Sequence, residues 1–472
     1  MPVRGLILLL LLIGATAAVK AQNQVDRSFY YDFGEKVYYD VLNVAHPAPD
    51  STNFLVLFRL RHDLLTFTTS EEHSERAGGY LATPVTYIEF FDGQGVIRHS
   101  SDWHDTIYVK DYQKTVSKTE YILGAVECTV PTGAYTIAIE VGDERTPRQF
   151  SYKIEDVKGQ SFGGEQVGLP LFCYDGEGAS GIRPSVLTEQ VQFNQDVRVI
   201  VPLSGYNAGD QFNYSVRRVI KGNPEDTPQW FPGVVDITGV ALPKDMERLR
   251  IDGGRMGKEL TLRYDRPADG LSLPSSQDQP RTGPRPGENR LAVLDFIVPG
   301  ATLEPGNYEL NIYLSGSSDT VNTNFKVIWL NQPLSLRNLQ YATELTYYLT
   351  TEEEYDDLRS GSKGERLGKF LDFWRYRDPS PGTAYNEAMA EYFARVDYAH
   401  FNYRTIKQRD GARTDRGKIF ILHGAPTRTD RKLDPNAAPR EVWTYANNVA
   451  KEFVFESESS GVFSLVEVKS LE

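Results

Sequence analysis

Near the C-terminus the chain reads GARTDRGKIFILHGAP, from Gly411 to Pro426. Asp415, Arg416 and His423 bring a carboxylate, a guanidinium and an imidazole into one short stretch. Those are the groups an acid–base or charge-stabilising site would use. Their spacing counts against it. If the apolar run Lys418–Leu422 is a strand, Asp415 and His423 lie eight residues apart on one extended segment, and only another element could bring them together. Thr414 and Asp415 are also good turn residues, because their side chains bond nearby backbone N–H groups. Gly417 permits a positive φ or a bulge before a strand. The preferred reading is a polar turn locked onto neighbouring helices, with Arg416 paired to Asp415 or to a helix carboxylate, or with Asp415 instead buried against Arg395 or Arg377. Asp415, Arg416 and His423 stand as the candidates for catalysis.

A second polar group is His99-Ser-Ser-Asp-Trp-His104-Asp105. Two imidazoles and a carboxylate could hold a metal ion. The group falls between expected strands, so an exposed loop is preferred, and no metal or other cofactor is called for. Trp103 could instead be a stacking platform for a sugar, which would make the first β-region a carbohydrate-binding module. The sequence has no Gly-x-Ser-x-Gly elbow, P-loop, HExxH or dinucleotide fingerprint.

The elements that must position these residues follow from length and patterning. At 472 residues the chain is expected to hold about three domains of ~100–200 residues each. Residues 1–21 combine Arg4, an apolar run from Leu6 and a small-residue cut site after about Ala21, the pattern of a secretory signal peptide. The run falls short of the ~20 apolar residues of a membrane span, so no transmembrane helix is expected after cleavage, and the mature chain is expected in the periplasm or outside the cell. A formal net charge of −13 lacks the basic footprint that phosphate backbones require, which argues against nucleic acid. An oxidising compartment permits a bridge between the two cysteines, Cys128 and Cys173; two separate buried thiols are the preferred reading.

Residues 22–156 and 157–332 each read as short alternating runs between turn signals, the pattern of an immunoglobulin- or fibronectin-like β-sandwich. Phe54–Leu60, Thr86–Phe91 and Tyr135–Val141 are expected strands of the first. Asp196–Val201, Phe212–Val216 and Leu260–Tyr264 belong to the second. Pro131-Thr-Gly-Ala-Tyr135 and Pro305-Gly-Asn-Tyr308 open similar strands, each a Gly turn followed by a corner Tyr. A long Pro/Gly-rich loop is expected at 266–290.

From residue 333 the pattern turns to an α+β domain of helices feeding a small antiparallel sheet. Helices are expected over Ser335–Tyr348, from a capping box at Thr351–Glu354, over Glu365–Arg377, and from a cap at Thr383 through His400. Strands are expected at Lys418–Leu422, Glu441–Tyr445, Lys451–Glu456 and Val462–Val468.

In this last region Trp374, Arg377, Asp378 and Pro379, then Tyr392-Phe-Ala-Arg-Val396, then Gly411, Thr414, Asp415, Arg416, Gly417, Gly424 and Pro426, then Trp443, occur in an order and spacing that resembles the GWxTD domain, from about Leu336 to Val468. Ala412 stands where the family has its Trp, His423 and Ala425 where Tyr and Pro are usual, and Thr427 where an acidic residue is common. The resemblance implies an exported bacterial protein, seen mainly in Bacteroidetes and related phyla, with β-rich regions ahead of the domain. It implies no mechanism. The expectation is therefore a non-enzymatic envelope protein that binds a protein partner, with an envelope hydrolase centred on 411–426 as the competing class.

Overall fold

The structure, a computed structural model, describes residues 36–471 apart from 47–49, 71–77, 119, 145, 160–165, 177–180, 207–208, 221–235, 247, 255–259, 266–290, 317–319, 433–436, 447–448 and 458–460. The expected leader at 1–21 and the loop at 266–290 lie outside the described residues. What is described divides into two compact units, 36–330 and 331–471. The expected boundary near residue 156 lies within the first. Among the described residues no helix is long and apolar enough to cross a membrane.

The first unit is built of strands. In chain order its long ones begin with β1 (Val37–Ala45), β2 (Ser51–Arg61), β3 (Pro84–Phe91), β4 (Ile97–His104), β5 (Tyr121–Pro131), β6 (Gly133–Asp143) and β7 (Thr146–Gly159). One antiparallel sheet runs β1-β2-β5 and a second runs β7-β6-β3-β4. The following residues add β8 (Leu171–Asp175), β9 (Ile182–Pro184), β10 (Val197–Ser204), β11 (Phe212–Val219), β12 (Asp236–Ala241), β13 (Leu291–Val298), β14 (Gly306–Leu314) and β15 (Thr320–Ile328). Among these, β13-β10-β8-β9 and β15-β14-β11-β12 are neighbours in two further sheets.

The sequence of β2 shows why the two halves of this unit cannot be separated cleanly. Side chains of a strand alternate between faces. Phe54, Val56, Phe58 and Leu60 enter one core with Phe90, Trp103 and Ile137. Leu55 and Leu57 enter another with Leu171, Cys173, Ile200, Leu262 and Val293. A strand buried on both faces needs a continuous apolar run rather than alternation, and Asn53-Phe-Leu-Val-Leu-Phe supplies one. Phe58 is fully enclosed, and truncating it to Ala would cost about 3–5 kcal/mol. Cys128 and Cys173 sit in these two different cores and are unbridged.

The two similar turns keep their likeness in space. The Tyr135 hydroxyl donates to the Pro131 carbonyl (2.6 Å), and the Tyr308 hydroxyl donates to the Glu304 carbonyl (2.9 Å). In both cases the acceptor lies four residues back, just ahead of β6 and of β14.

The second unit combines helices with a small antiparallel sheet. Its helices are α1 (Leu339–Leu345), α2 (Glu352–Arg359), α3 (Lys363–Arg375), α4 (Glu387–Asn402) and α5 (Asp415–His423). Its sheet is β16 (Arg428–Lys432), β17 (Arg440–Tyr445), β18 (Lys451–Ser457) and β19 (Phe463–Ser470), in that order. Thr351 with Glu354, and Ser362 with Glu365, form capping boxes that start α2 and α3. The expected helix over Ser335–Tyr348 is broken into a 3-10 turn (Leu334–Arg337), α1 and a second 3-10 turn (Thr346–Leu349). Asn338 interrupts it, because its side chain accepts from Tyr341 N and caps α1.

Two further expectations are corrected. Thr383 does not cap α4; its hydroxyl bonds the Ser380 and Tyr385 carbonyls, and Asn386 is the cap. Lys418–Leu422 is not a strand but the body of α5. A short apolar run does not distinguish strand from buried helix by periodicity. The decisive signals lie at its ends: Thr414 at the N-cap, Asp415 in the first turn, His423 in the last and Gly424 after it.

Candidate functional site

The signature segment is built by close backbone contact. Gly411 opens a 3-10 turn (Gly411–Arg413) pressed against the end of α4. A Cβ on it would lie 2.2 Å from the Ala399 carbonyl oxygen and 2.6 Å from Arg404 N. Gly417 repeats the device one turn later, where a Cβ would lie 2.0 Å from the Gly411 carbonyl oxygen. Thr414 ties the two together. Its hydroxyl donates to the Gly411 carbonyl (2.7 Å) and accepts from Gly417 N (3.0 Å). Ala412, in the place of the family Trp, is wholly enclosed, and its carbonyl accepts from the Tyr348 hydroxyl (2.9 Å).

The charged residues then fasten α5 to the sheet. The Asp415 carboxylate accepts Leu465 N (2.7 Å), a donor on the edge strand β19. Arg416 reaches Glu441 on β17 (3.4 Å), and its guanidinium lies over the rings of Phe463 (4.3 Å) and Tyr403 (5.3 Å). Glu441 also accepts from Trp443 Nε1 (2.6 Å) and pairs with Arg431 (3.2 Å). Burial lowers the pKa of Arg416, with the Glu441 charge working against that shift. Arg416 and Glu441 are 12% and 4% exposed; removing Glu441 would leave the Arg416 guanidinium buried without its carboxylate, at a cost of about 3–5 kcal/mol, whereas removing Arg416 would cost less, because Arg431 and Trp443 Nε1 still reach Glu441.

His423 ends α5 stacked on Phe453 (5.4 Å) and edge-on to Tyr445 (5.7 Å). Its pKa is lowered by burial and by the nearby Lys451 and Arg395 charges. The Tyr445 hydroxyl donates to the Gly424 carbonyl (2.8 Å). Pro426 follows in the turn into β16. Asp415 and His423 are thus at opposite ends of one helix, about 12 Å apart along its axis. They do not form an acid–base pair. Nor does Asp415 meet Arg395 or Arg377. Arg395 pairs with Glu391, and Arg377 donates to the Phe373 carbonyl and lies over the Phe373 ring.

The remaining signature residues serve the helical layer. Trp374 is buried among Phe370, Phe373, Tyr392 and Phe393. Asn386, the α4 cap, donates to its carbonyl (2.7 Å). Asp378 accepts from Ser380 N (2.8 Å), and this Asx turn with Pro379 ends α3.

Sequence reading missed a second polar cluster. His400 Nδ1 lies 3.0 Å from Asp410 Oδ1 and 3.2 Å from the Tyr341 hydroxyl. Tyr341 donates to Asp410 (3.0 Å), Arg413 Nε meets the other carboxylate oxygen (3.0 Å), and Arg413 also pairs with Glu344. Burial and the Asp410 charge push the Tyr341 pKa far up. Burial would also raise Asp410, but the hydrogen bond and charge of His400 outweigh it and hold the carboxyl low. The groups satisfy one another, which makes the cluster a bracket between α1, α4 and the signature turn. Tyr341 and Glu344, His400, and Asp410 and Arg413 come from three separate stretches of chain, so no local motif announces it.

Beside Glu344 opens a cavity of about 830 Å³, walled by the segment around α1, by α2 and by the start of α3. Arg337, Arg359, Lys363 and Arg366 line it against two carboxylates, Glu344 and Asp356. A chain of net charge −13 therefore carries a locally basic recess.

In the β-rich unit, the candidates around Trp103 change character. His99–His104 is not a loop but most of strand β4, paired with β3. Arg98, Ser100, Asp102 and His104 face outward, while His99 lies edge-on to Phe90 on the inward face and Trp103 turns into the core, 1% exposed and edge-on to Phe58 at 5.0 Å. A buried indole offers no platform to a sugar, so the carbohydrate-binding reading of Trp103 is overturned. His104 pairs with Asp102 (2.7 Å) and Glu144 (2.8 Å). Among the described residues, no group of three or more His, Cys, Asp or Glu could hold a metal ion.

A search of curated proteins finds no match for the chain. Residues 312–467 match the family model of the GWxTD domain. That span starts within β14, further back than Leu336, and takes in every signature residue described above. With its helices, sheet and interlocked Gly411–Pro426 segment in place, the chain carries a GWxTD domain.

Proposed function

We propose that this is an exported, non-catalytic binding protein of the cell envelope, whose GWxTD domain receives an acidic segment of a protein partner. The observation that carries the reading is the recess of α1, α2 and α3, where four cations face two carboxylates. Charge complementarity of this kind steers and orients a partner. The signature residues support the non-catalytic part, because Asp415, Arg416 and His423 are each committed to separate structural contacts. Export rests on the leader pattern of residues 1–21 and on the family resemblance. The β-rich unit is read as two immunoglobulin- or fibronectin-like sandwiches acting as a spacer; the matching Tyr135 and Tyr308 corners favour that reading.

The test is a pull-down from envelope extracts using the full chain and an Arg359→Glu/Lys363→Glu/Arg366→Glu variant, with circular dichroism confirming that both fold. The reading expects one partner recovered by the parent, lost with the variant and weakened as salt rises. Equal recovery by parent and variant would refute it, and so would no recovery by either.

A further inference from the structure

A separate cavity of about 590 Å³ lies in the β-rich unit, between β1 and β7 and beside β8 and the segment 185–190. Its volume falls in the range of small-ligand sites, about 300–1,000 Å³. Its inner wall is apolar, with Val41, Phe54, Ile154, Val157 and Leu171. Two polar side chains on that wall each have an oxygen with no hydrogen-bond partner. Asn43 is 5% exposed; its Nδ2 donates to Thr52 Oγ1 (2.8 Å), while its Oδ1 receives no hydrogen bond. Thr323 Oγ1 is likewise buried and unpaired. A buried polar atom left unpaired costs about 1–3 kcal/mol, so both oxygens are places where a donor would be stabilised.

The charge around the cavity is mainly negative. Glu155, Asp156 and Glu189 line it against a single cation, Lys158. Asp40 also lines it, but its carboxylate already accepts Leu187 N and Glu189 N (3.1 Å each). Asp40 thus holds the wall and is not available to a ligand. The rim is held in unusual backbone geometry, with positive φ at Asp156 (57°), Thr188 (54°) and Glu189 (57°). Such conformations cost of order 1–3 kcal/mol each and persist only where the surroundings impose them.

From the unpaired acceptors, the acidic mouth and the apolar walls, we propose that this cavity binds a primary ammonium group carried on an aliphatic stem. The ammonium supplies three donors and stays protonated at neutral pH. The stem lies along Val41, Ile154 and Val157. A free alkyl diamine and a lysine side chain of another polypeptide share this chemistry.

Calorimetric titration of the full chain tests it with three probes: 1,5-diaminopentane, a blocked Ala-Lys-Ala peptide and uncharged 1-pentanol. Saturable binding of either amine without binding of pentanol is the expected result. The stronger of the two amines names the source, a small amine or a protein lysine. Glu189→Gln combined with Asp156→Asn should weaken that binding about 10-fold or more, the effect of losing a charge-assisted hydrogen bond. Asparagine is tolerated at positive φ, so Asp156→Asn keeps the rim intact. Asn43→Leu should weaken binding further; if it does not fold, the surface pair alone decides. No saturable binding of either amine, pentanol binding as well as the amine, or an unchanged affinity in the surface pair would each overturn the proposal.

Discussion

Two carboxylates inside the β-rich unit meet the same problem with opposite results. Asp295 on β13 is 3% exposed and receives Arg198 through both carboxylate oxygens (2.7 Å each), Lys244 (2.8 Å) and the Tyr264 hydroxyl (2.8 Å). Burial pushes its carboxyl up, but these partners outweigh burial and bring it down to about 2. Asp40 on β1 keeps some exposed surface, yet its carboxylate lies inside with backbone N–H donors and, among the described residues, no paired cation. Burial there outweighs the hydrogen bonds and raises it to about 7. At Asp40 the backbone hydrogen bonds do not offset burial, whereas at Asp295 the bonds from Arg198, Lys244 and Tyr264 do. Asp295 therefore staples strands, whereas Asp40 holds a strained loop in a way that pH can change.

The sharpest way to break this contrast is pH. Between the ordinary value of 3.8 and about 7, the folded chain keeps a proton on Asp40 that the unfolded chain has released. Stability from Asp40 is therefore complete below 3.8 and is lost as pH rises to about 7, with a slope of up to about 1.4 kcal/mol per pH unit. Asp295 has the opposite sign: its contribution is present above 3.8 and is lost as pH falls through about 2. Urea unfolding across pH 4–7 should show the Asp40 slope in the parent and not in Asp40→Asn. Equal slopes would mean that the two carboxylates do not differ in this way.

Arg198→Met should cost about 2–3 kcal/mol in the same urea experiment, less than a wholly buried pair because Lys244 and Tyr264 still reach Asp295. A loss below that of an exposed pair, about 0–1 kcal/mol, would show that Asp295 does not depend on Arg198. On the other side, Thr188→Val removes the bond from Tyr39 N (3.1 Å) and the one to the Tyr39 carbonyl (3.0 Å). It should cost about 1–2 kcal/mol by urea unfolding. Glu189→Asn should raise the thermal midpoint slightly, by a gain of about 0.5 kcal/mol, because Asn tolerates the positive φ better than Glu. A loss instead would place the origin of the strain elsewhere.

Legibility varied with the range of the interactions involved. The Tyr135 and Tyr308 turns were readable because a corner Tyr and its acceptor lie four residues apart. The capping boxes at Thr351 and Ser362 are local in the same sense, although only the first was picked out from sequence. Lys418–Leu422 is a helix and not the expected strand because its short apolar run suits either equally, and the Thr414 side chain suits a turn as well as a cap. The same side-chain oxygen serves either role, and which one depends on what Gly411 and Gly417 pack against. Trp103 sits in a strand and not in the expected loop because a polar strand with an inward aromatic resembles a loop when only its composition is visible.

The sequence by itself determined the β-rich character of the first part, the capped helices and antiparallel strands of the second, the order of the signature residues and the acidic net charge. Each follows from local propensity, spacing or counting. Only the tertiary structure decided that β2 is buried on both faces, that His400, Asp410 and Tyr341 meet, that Asp415 and His423 do not, and that Asp40 lacks the cation Asp295 has. These depend on which distant segments share a core, and burial converts that proximity into large differences in the energy of a charge.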